Sequence, residues 1–169
     1  ADCAGHPKWY EPKEWVKISV AAGYPQSINT SHPTQRLHSQ LDNTPLRDKF
    51  AIADREAILI HPDDAKARGI QDGDLVRAFN ERGQILVGAL LSKDIRPGVV
   101  RICEGAWFDP AKPGEVGAIC KNGNVNCLTF DEGSSSLAQG NCGHMAQLQI
   151  EKYSGPELVN TAHEVPVNA

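Results

Sequence analysis

The chain has 169 residues, enough for one compact domain and too few for two ordinary ones. It is 40% hydrophobic and 22% charged, with 17 Lys and Arg against 21 Asp and Glu, a net charge of -4. That balance argues against nucleic acid or an anionic membrane surface as partner, and no apolar run approaches the roughly 18 residues of a membrane span.

Residues 1–26 place Trp9, Tyr10 and Trp15 among Pro7, Pro12 and Pro25. Prolines at that density forbid a long helix, so the segment reads as an extended arm whose rings plug a groove on the rest of the fold. Its opening, ADCAGHPKWY, lacks the apolar stretch of a secretory signal, so any such segment is expected to be absent or already removed. The next stretch, Ser31-His32-Pro33-Thr34-Gln35-Arg36-Leu37-His38-Ser39-Gln40, gathers a guanidinium, two imidazoles, hydroxyls and amides in ten residues. Such a set can hold a phosphate and read a heterocycle, and it can equally be a solvated loop.

From Ala57 the run AILIH reads as a short buried strand. Pro62 then suits the first turn of a helix, Asp63 and Asp64 suit its positive end, and Gly69 suits its stop. DLVRAFN, a turn at NERG and QILVGALL form a hairpin of period two, with Gly83 expected at a positive φ. GVVRI is a further strand, and residues 146–151 alternate apolar and polar as a strand with one buried face. Between them, residues 104–143 are rich in Gly, Pro, Asn and Ser with little periodicity, a length of irregular chain that usually carries function. Lys121-Asn122-Gly123-Asn124-Val125-Asn126 and Gln139-Gly140-Asn141 offer amide donors and acceptors together, or turn chemistry. Residues 154–169 read as a loosely held tail.

The sum is a mostly β fold with short helices, closed as a barrel and fitted with long polar loops. Five cysteines and no CxxC pattern leave the redox compartment open. Cys120, Cys127, Cys142 and His144 are spaced too widely for an ordinary zinc site, and buried free thiols are the favoured reading. No catalytic motif is present: there is no G-x-S-x-G, H-E-x-x-H or Walker sequence.

Five ordered segments nevertheless resemble one known domain. They are SHPTQRLHSQL, HPDDAKARGIQDGDLVRAFNERGQ, DIRPGVVRICEGAWFDP, NVNCLT and LAQGNCGH. Together they are similar to the C-terminal molybdopterin-dinucleotide-binding domain of the dimethyl sulfoxide reductase family, especially its trimethylamine-N-oxide, dimethyl sulfoxide and biotin sulfoxide reductases. The resemblance implies a double-psi β-barrel over 27–153, preceded by the 1–26 arm and followed by the 154–169 tail. It implies a molybdenum bis(molybdopterin guanine dinucleotide) cofactor. Ser31, His32, Pro33, Arg36, His38, Ser39 and Gln40 are expected on one side of it, with Arg36 at the pyrophosphate. Asn124, Asn126, Gln139 and Gly140 are expected as the second set of contacts. It further implies that the chain is one part of a longer polypeptide reducing an N-oxide or S-oxide, with the remainder of that polypeptide as its partner. By the same likeness the setting is periplasmic, or cytoplasmic if it follows the biotin sulfoxide reductases. The competing reading is a stand-alone double-psi barrel that recognises a peptide or protein partner.

Overall fold

The computed structural model describes residues 3–15, 23–142 and 146–165. Six strands, β1 (Gln26–Asn29), β2 (Ala57–Ile60), β3 (Leu75–Phe79), β4 (Gln84–Leu91), β5 (Val99–Ile102) and β6 (Gln147–Lys152), carry the fold. They close into a barrel in the order β1-β5-β2-β4-β3-β6, the mostly β, double-psi class expected. Two pairings are parallel, β1 with β5 and β2 with β4, and the remaining four are antiparallel.

The single α-helix among the described residues, α1 (Pro62–Lys66), follows β2. His61 caps it, its ring accepting from the Asp63 N–H at 3.2 Å, while Asp63 and Asp64 occupy the positive first turn. Gly69 ends it at φ +65. Asp64 also accepts the Gly98 N–H at 2.7 Å, which fastens the helix to the turn before β5.

The β3–β4 hairpin forms where the alternation placed it, but its turn works differently. Gly83 does not adopt a positive φ. Asn80 makes the turn instead, accepting from the Arg82 N–H at 3.1 Å and donating its side-chain amide to Leu128 O and Gln147 O. Glycine is required at 83 because a Cβ there would lie 2.7 Å from Cys127 O.

Alternate residues of the strands, among them Ile58, Ile60, Val76, Val87, Val100 and Ile150, fill the barrel. Full burial of each such side chain contributes about 1.5–3 kcal/mol. β4 is buried on both faces from Ile85 to Ala89. The long loop folds back on its outer side, where Leu86 N–H donates to Cys120 O at 2.9 Å. All five cysteines are free: Cys120 lies in the core, Cys127 packs half-buried beside it, and Cys3 is exposed. His144 lies outside the described residues.

Two expectations about the chain ends are corrected. Trp9 is 75% exposed and Tyr10 is also exposed, so these two rings plug no groove, whereas Trp15 is half-buried. The arm is held by charge: Glu14 pairs with Arg82 and accepts the Gln147 N–H at 2.9 Å. The tail is laced down through residue 163 rather than loose. Thr161 donates from its N–H and its hydroxyl to Asp109 at 2.7 and 2.9 Å, and Asn160 donates to Asn122 Oδ1 at 2.9 Å.

Candidate functional site

The first polar loop leaves β1 and runs beside the end of β5. The Glu104 N–H donates to Ser31 O at 3.2 Å, and the Ser31 hydroxyl sits 3.8 Å from Cys103 Sγ. Burial pushes the Cys103 thiol up, with Glu56 adding to the effect. His32 and Pro33 face a cleft of about 190 Å³ whose walls include Phe50, Glu56, Arg101 and Cys103. His38 and Ser39 form a two-residue turn between Leu37 and Gln40, whose backbones bond each other at 2.8 and 3.3 Å. His38 stands there at φ +50, a left-handed conformation uncommon outside glycine. Trp107 holds the turn by donating its indole N–H to Ser39 O at 2.8 Å. The side chains of His32, His38, Ser39 and Gln40 are all exposed.

Arg36 goes the other way. Its guanidinium is buried, donating to Glu56 at 2.8 Å, to Asp42 at 3.2 Å and through Nε to Glu104 O at 3.1 Å. The residue expected at a pyrophosphate is thereby committed to three internal acceptors, and none of its fork points outward. The planar, five-donor group is what lets one side chain tie two carboxylates and a carbonyl. Gly105 makes room for it, since a Cβ there would lie 1.8 Å from His38 O and 2.9 Å from Arg36 Nε. Burial nevertheless raises the Glu56 carboxyl above its ordinary range, against the pull of Arg36.

The second set of residues comes from the long loop. Asn124 caps a 3-10 turn at Val125–Cys127, accepting from the Asn126 N–H at 3.0 Å. Asn126, Gln139 and Gly140 line a cleft of about 540 Å³ together with Phe130 and Asp131. That is within the usual size of a small-molecule site. Gln139 donates to Ser135 O at 2.9 Å, and the Gly140 N–H donates to Ser134 Oγ at 3.2 Å, so the 133–141 segment closes on itself.

The two clefts share no lining residue. The segment leading into the second, Asn122-Gly123, packs against Glu56 in the wall of the first instead. The Glu56 N–H donates to Asn122 O at 3.2 Å, and Gly123 lies so close to Glu56 that an added Cβ would come within 2.8 Å of its side chain. Asn122, fully buried, donates to Trp107 O at 3.1 Å and accepts from Arg47 at 3.1 Å. Asp42 joins both sides, receiving Arg36, the Trp107 N–H at 3.0 Å and His163 Nε2 at 3.0 Å. Asp42, Glu56, Glu104 and His163 were not singled out from the sequence. Most of their partners lie far along the chain, and only Glu56, directly before the buried run of β2, carries a local hint of burial. The assembly is a rigid polar base carrying exposed imidazole, hydroxyl and amide groups, suited to gripping a polar ligand.

Residues 27–146 match the family described as "Molydopterin dinucleotide binding domain". The chain is 50% identical over 168 residues to a dimethyl sulfoxide/trimethylamine N-oxide reductase of Cereibacter sphaeroides, covering 99% of this chain and 20% of that protein. It is 52% identical over 160 residues to a trimethylamine-N-oxide reductase of Haemophilus influenzae, covering 93% of this chain and 19% of the relative. It therefore spans about a fifth of the length of these relatives. Among solved structures, acetylene hydratase from Pelobacter acetylenicus matches with a TM-score of 0.67 at 20% identity, over 87% of this chain and 21% of the other. That likeness carries the fold alone.

Proposed function

This chain belongs to the molydopterin dinucleotide binding domain family, and from that premise we propose that it grips a bis(molybdopterin guanine dinucleotide) molybdenum cofactor as one domain of an N-oxide or S-oxide reductase. Molybdenum with molybdopterin guanine dinucleotide is the cofactor that the family and the reductase relatives imply. The observation that carries the proposal is the pair of exposed polar loops joined through the buried contacts of Arg36 with Glu56 and of Glu56 with Asn122. Amides that donate and accept side by side fit pterin and guanine edges, and the cleft bearing Asn126, Gln139 and Gly140 has the volume for a heterocycle.

In this reading Ser31, His32, Pro33, His38, Ser39 and Gln40 line one side of the cofactor, and Asn124, Asn126, Gln139 and Gly140 the other. Arg36 acts from beneath, holding Glu104 and the His38 turn in place. When bound, the cofactor supplies the oxygen-atom transfer and the two electrons it needs. The domain, taken as residues 27–153 between an arm and a tail, binds and orients, and the rest of a longer chain completes the site. By the reductase likeness that longer protein works in the periplasm. Among the described residues no helix is long and apolar enough to cross a membrane.

The test is made in the full-length enzyme. Asn126→Ala combined with Gln139→Ala lowers both molybdenum and guanine nucleotide per polypeptide, measured by metal analysis and by nucleotide release. Full occupancy by both would overturn the assignment.

A further inference from the structure

Cys120 and Cys127 meet beside the start of β4. The Cys120 N–H donates to Gln84 O and its carbonyl accepts the Leu86 N–H, each at 2.9 Å, which fastens this cysteine along the strand. Cys127 ends the 3-10 turn at Val125–Cys127 and packs over Gly83, where an added Cβ would lie 3.5 Å from its own. Cys120 is wholly buried in the core, and Cys127 is half-buried against it. Both are free thiols, and the Cys127 thiol hydrogen-bonds to Cys120 Sγ. We propose that Cys120 and Cys127 are an oxidisable pair, a modification site at which a small-molecule disulfide drives formation of an internal disulfide closing the segment 120–127.

The surroundings of Cys120 favour the anion that such chemistry needs. A thiol buried in apolar surroundings ordinarily titrates high. The Cys120 sulfur instead accepts the Asp109 N–H at 3.5 Å and the backbone N–H groups of Asn122 and Asn124, in addition to the Cys127 thiol. Led by the bond from Cys127, these donors hold it down to about 6 against the opposing effect of burial. Cys127 is pushed up in turn, because its proton serves that bond and burial adds to the effect. The pair therefore carries one proton between two sulfurs.

The exchange balances as two displacements. Cys127, the less buried of the two, attacks one sulfur of the oxidant as its proton passes to Cys120. The oxidant's S–S bond breaks, a mixed disulfide forms on Cys127, and one thiolate leaves. Cys120 then attacks Cys127 Sγ, and the second half of the oxidant leaves with the Cys120 proton. The pair loses two electrons, and the oxidant gains them as a thiol and a thiolate. Closure to the disulfide distance of about 2.0 Å asks only that two sulfurs already in contact turn toward each other about their Cα–Cβ bonds. The bond would tether both ends of the segment bearing Asn124 and Asn126 without using either. It involves no residue assigned to the cofactor and stands whether or not that assignment does.

The experiment treats the full-length enzyme with oxidised glutathione, quenches with acid and alkylates the remaining thiols in denaturant. Tryptic digestion without reductant and mass spectrometry follow. Lys121 is the one lysine or arginine between the two cysteines, so cleavage there parts Cys120 from Cys127 unless a disulfide joins them. The expected result is loss of both alkylated peptides and appearance of one linked pair that reductant separates. In Cys120→Ser, glutathione should remain on Cys127 for want of the second attack. In Cys127→Ser, Cys120 should stay an alkylatable thiol, and the thermal midpoint of each variant verifies that it folds. Recovery of both peptides alkylated from the treated parent enzyme would overturn the proposal. So would a parent enzyme in which Cys127 keeps its glutathione or is linked to Cys142, since either shows that Cys120 does not complete the exchange.

Discussion

Arg36 and Asp42 meet at 3.2 Å with side chains that are each only 1% exposed. A buried pair of this kind is more dangerous to break than valuable to make, because removing one partner strands the other charge away from water. Arg36→Ala and Asp42→Ala are each expected to cost about 3–5 kcal/mol in urea unfolding. The double variant should be less damaged than the sum by about 1–3 kcal/mol. Strict additivity would show that the two do not act as a pair.

Glu56 makes stability depend on pH. Its folded carboxyl titrates above the ordinary value of 4.5 because burial disfavours the charged form more than Arg36 restores it. The folded state keeps a proton that the unfolded chain has released, so this contribution is present below pH 4.5 and is lost as pH rises through the raised value. Relative to Glu56→Gln, the parent protein should therefore lose stability with rising pH across that window and run parallel above it. Urea midpoints of both proteins from about pH 4 to about pH 8 check the slope. The opposite slope would mean that Arg36 dominates the site.

Gly105 is the hinge pin of the first loop. At φ +97, with His38 O where a Cβ would go, it tolerates no side chain. Gly105→Ala should destabilise by at least about 2 kcal/mol and displace the His38 turn. A thermal midpoint equal to the parent's would show that the loop can shift at no cost.

The arm should come away without the barrel. Glu14→Ala removes the pairing with Arg82 and the acceptor for the Gln147 N–H. Limited proteolysis should then cut within residues 3–13 much faster, while the barrel's unfolding midpoint moves by about 1 kcal/mol or less. Unchanged cleavage would assign the arm's position to other contacts.

Where local chemistry decides structure, the chain was readable. His61-Pro62-Asp63-Asp64 with Gly69 specifies α1, and alternation specifies the β3–β4 hairpin. β1 was not readable. Gln26–Asn29 holds one apolar residue, Ile28, and Gln26 is 2% exposed, so its pairing with β5 and β6 is written in neither its composition nor its period. The wealth of donors in the two polar loops was visible from composition. The direction Arg36 faces was not, because it depends on acceptors 6, 20 and 68 residues away. The tail misled for the same reason: the acceptors of Asn160 and Thr161 lie 38 and 52 residues earlier.

The barrel closes by pairing Gln26 of its first strand with Leu148 of its last. During synthesis, a ribosome that has released only residues up to about 140 leaves β1 and β3 without the strand they share. Two unpaired edges and a half-covered apolar interior then stand open to other chains. The hairpin of β3 and β4 can form early, but the enclosure waits for Gln147–Lys152. A nascent chain built this way has reason to be shielded until its last strand emerges.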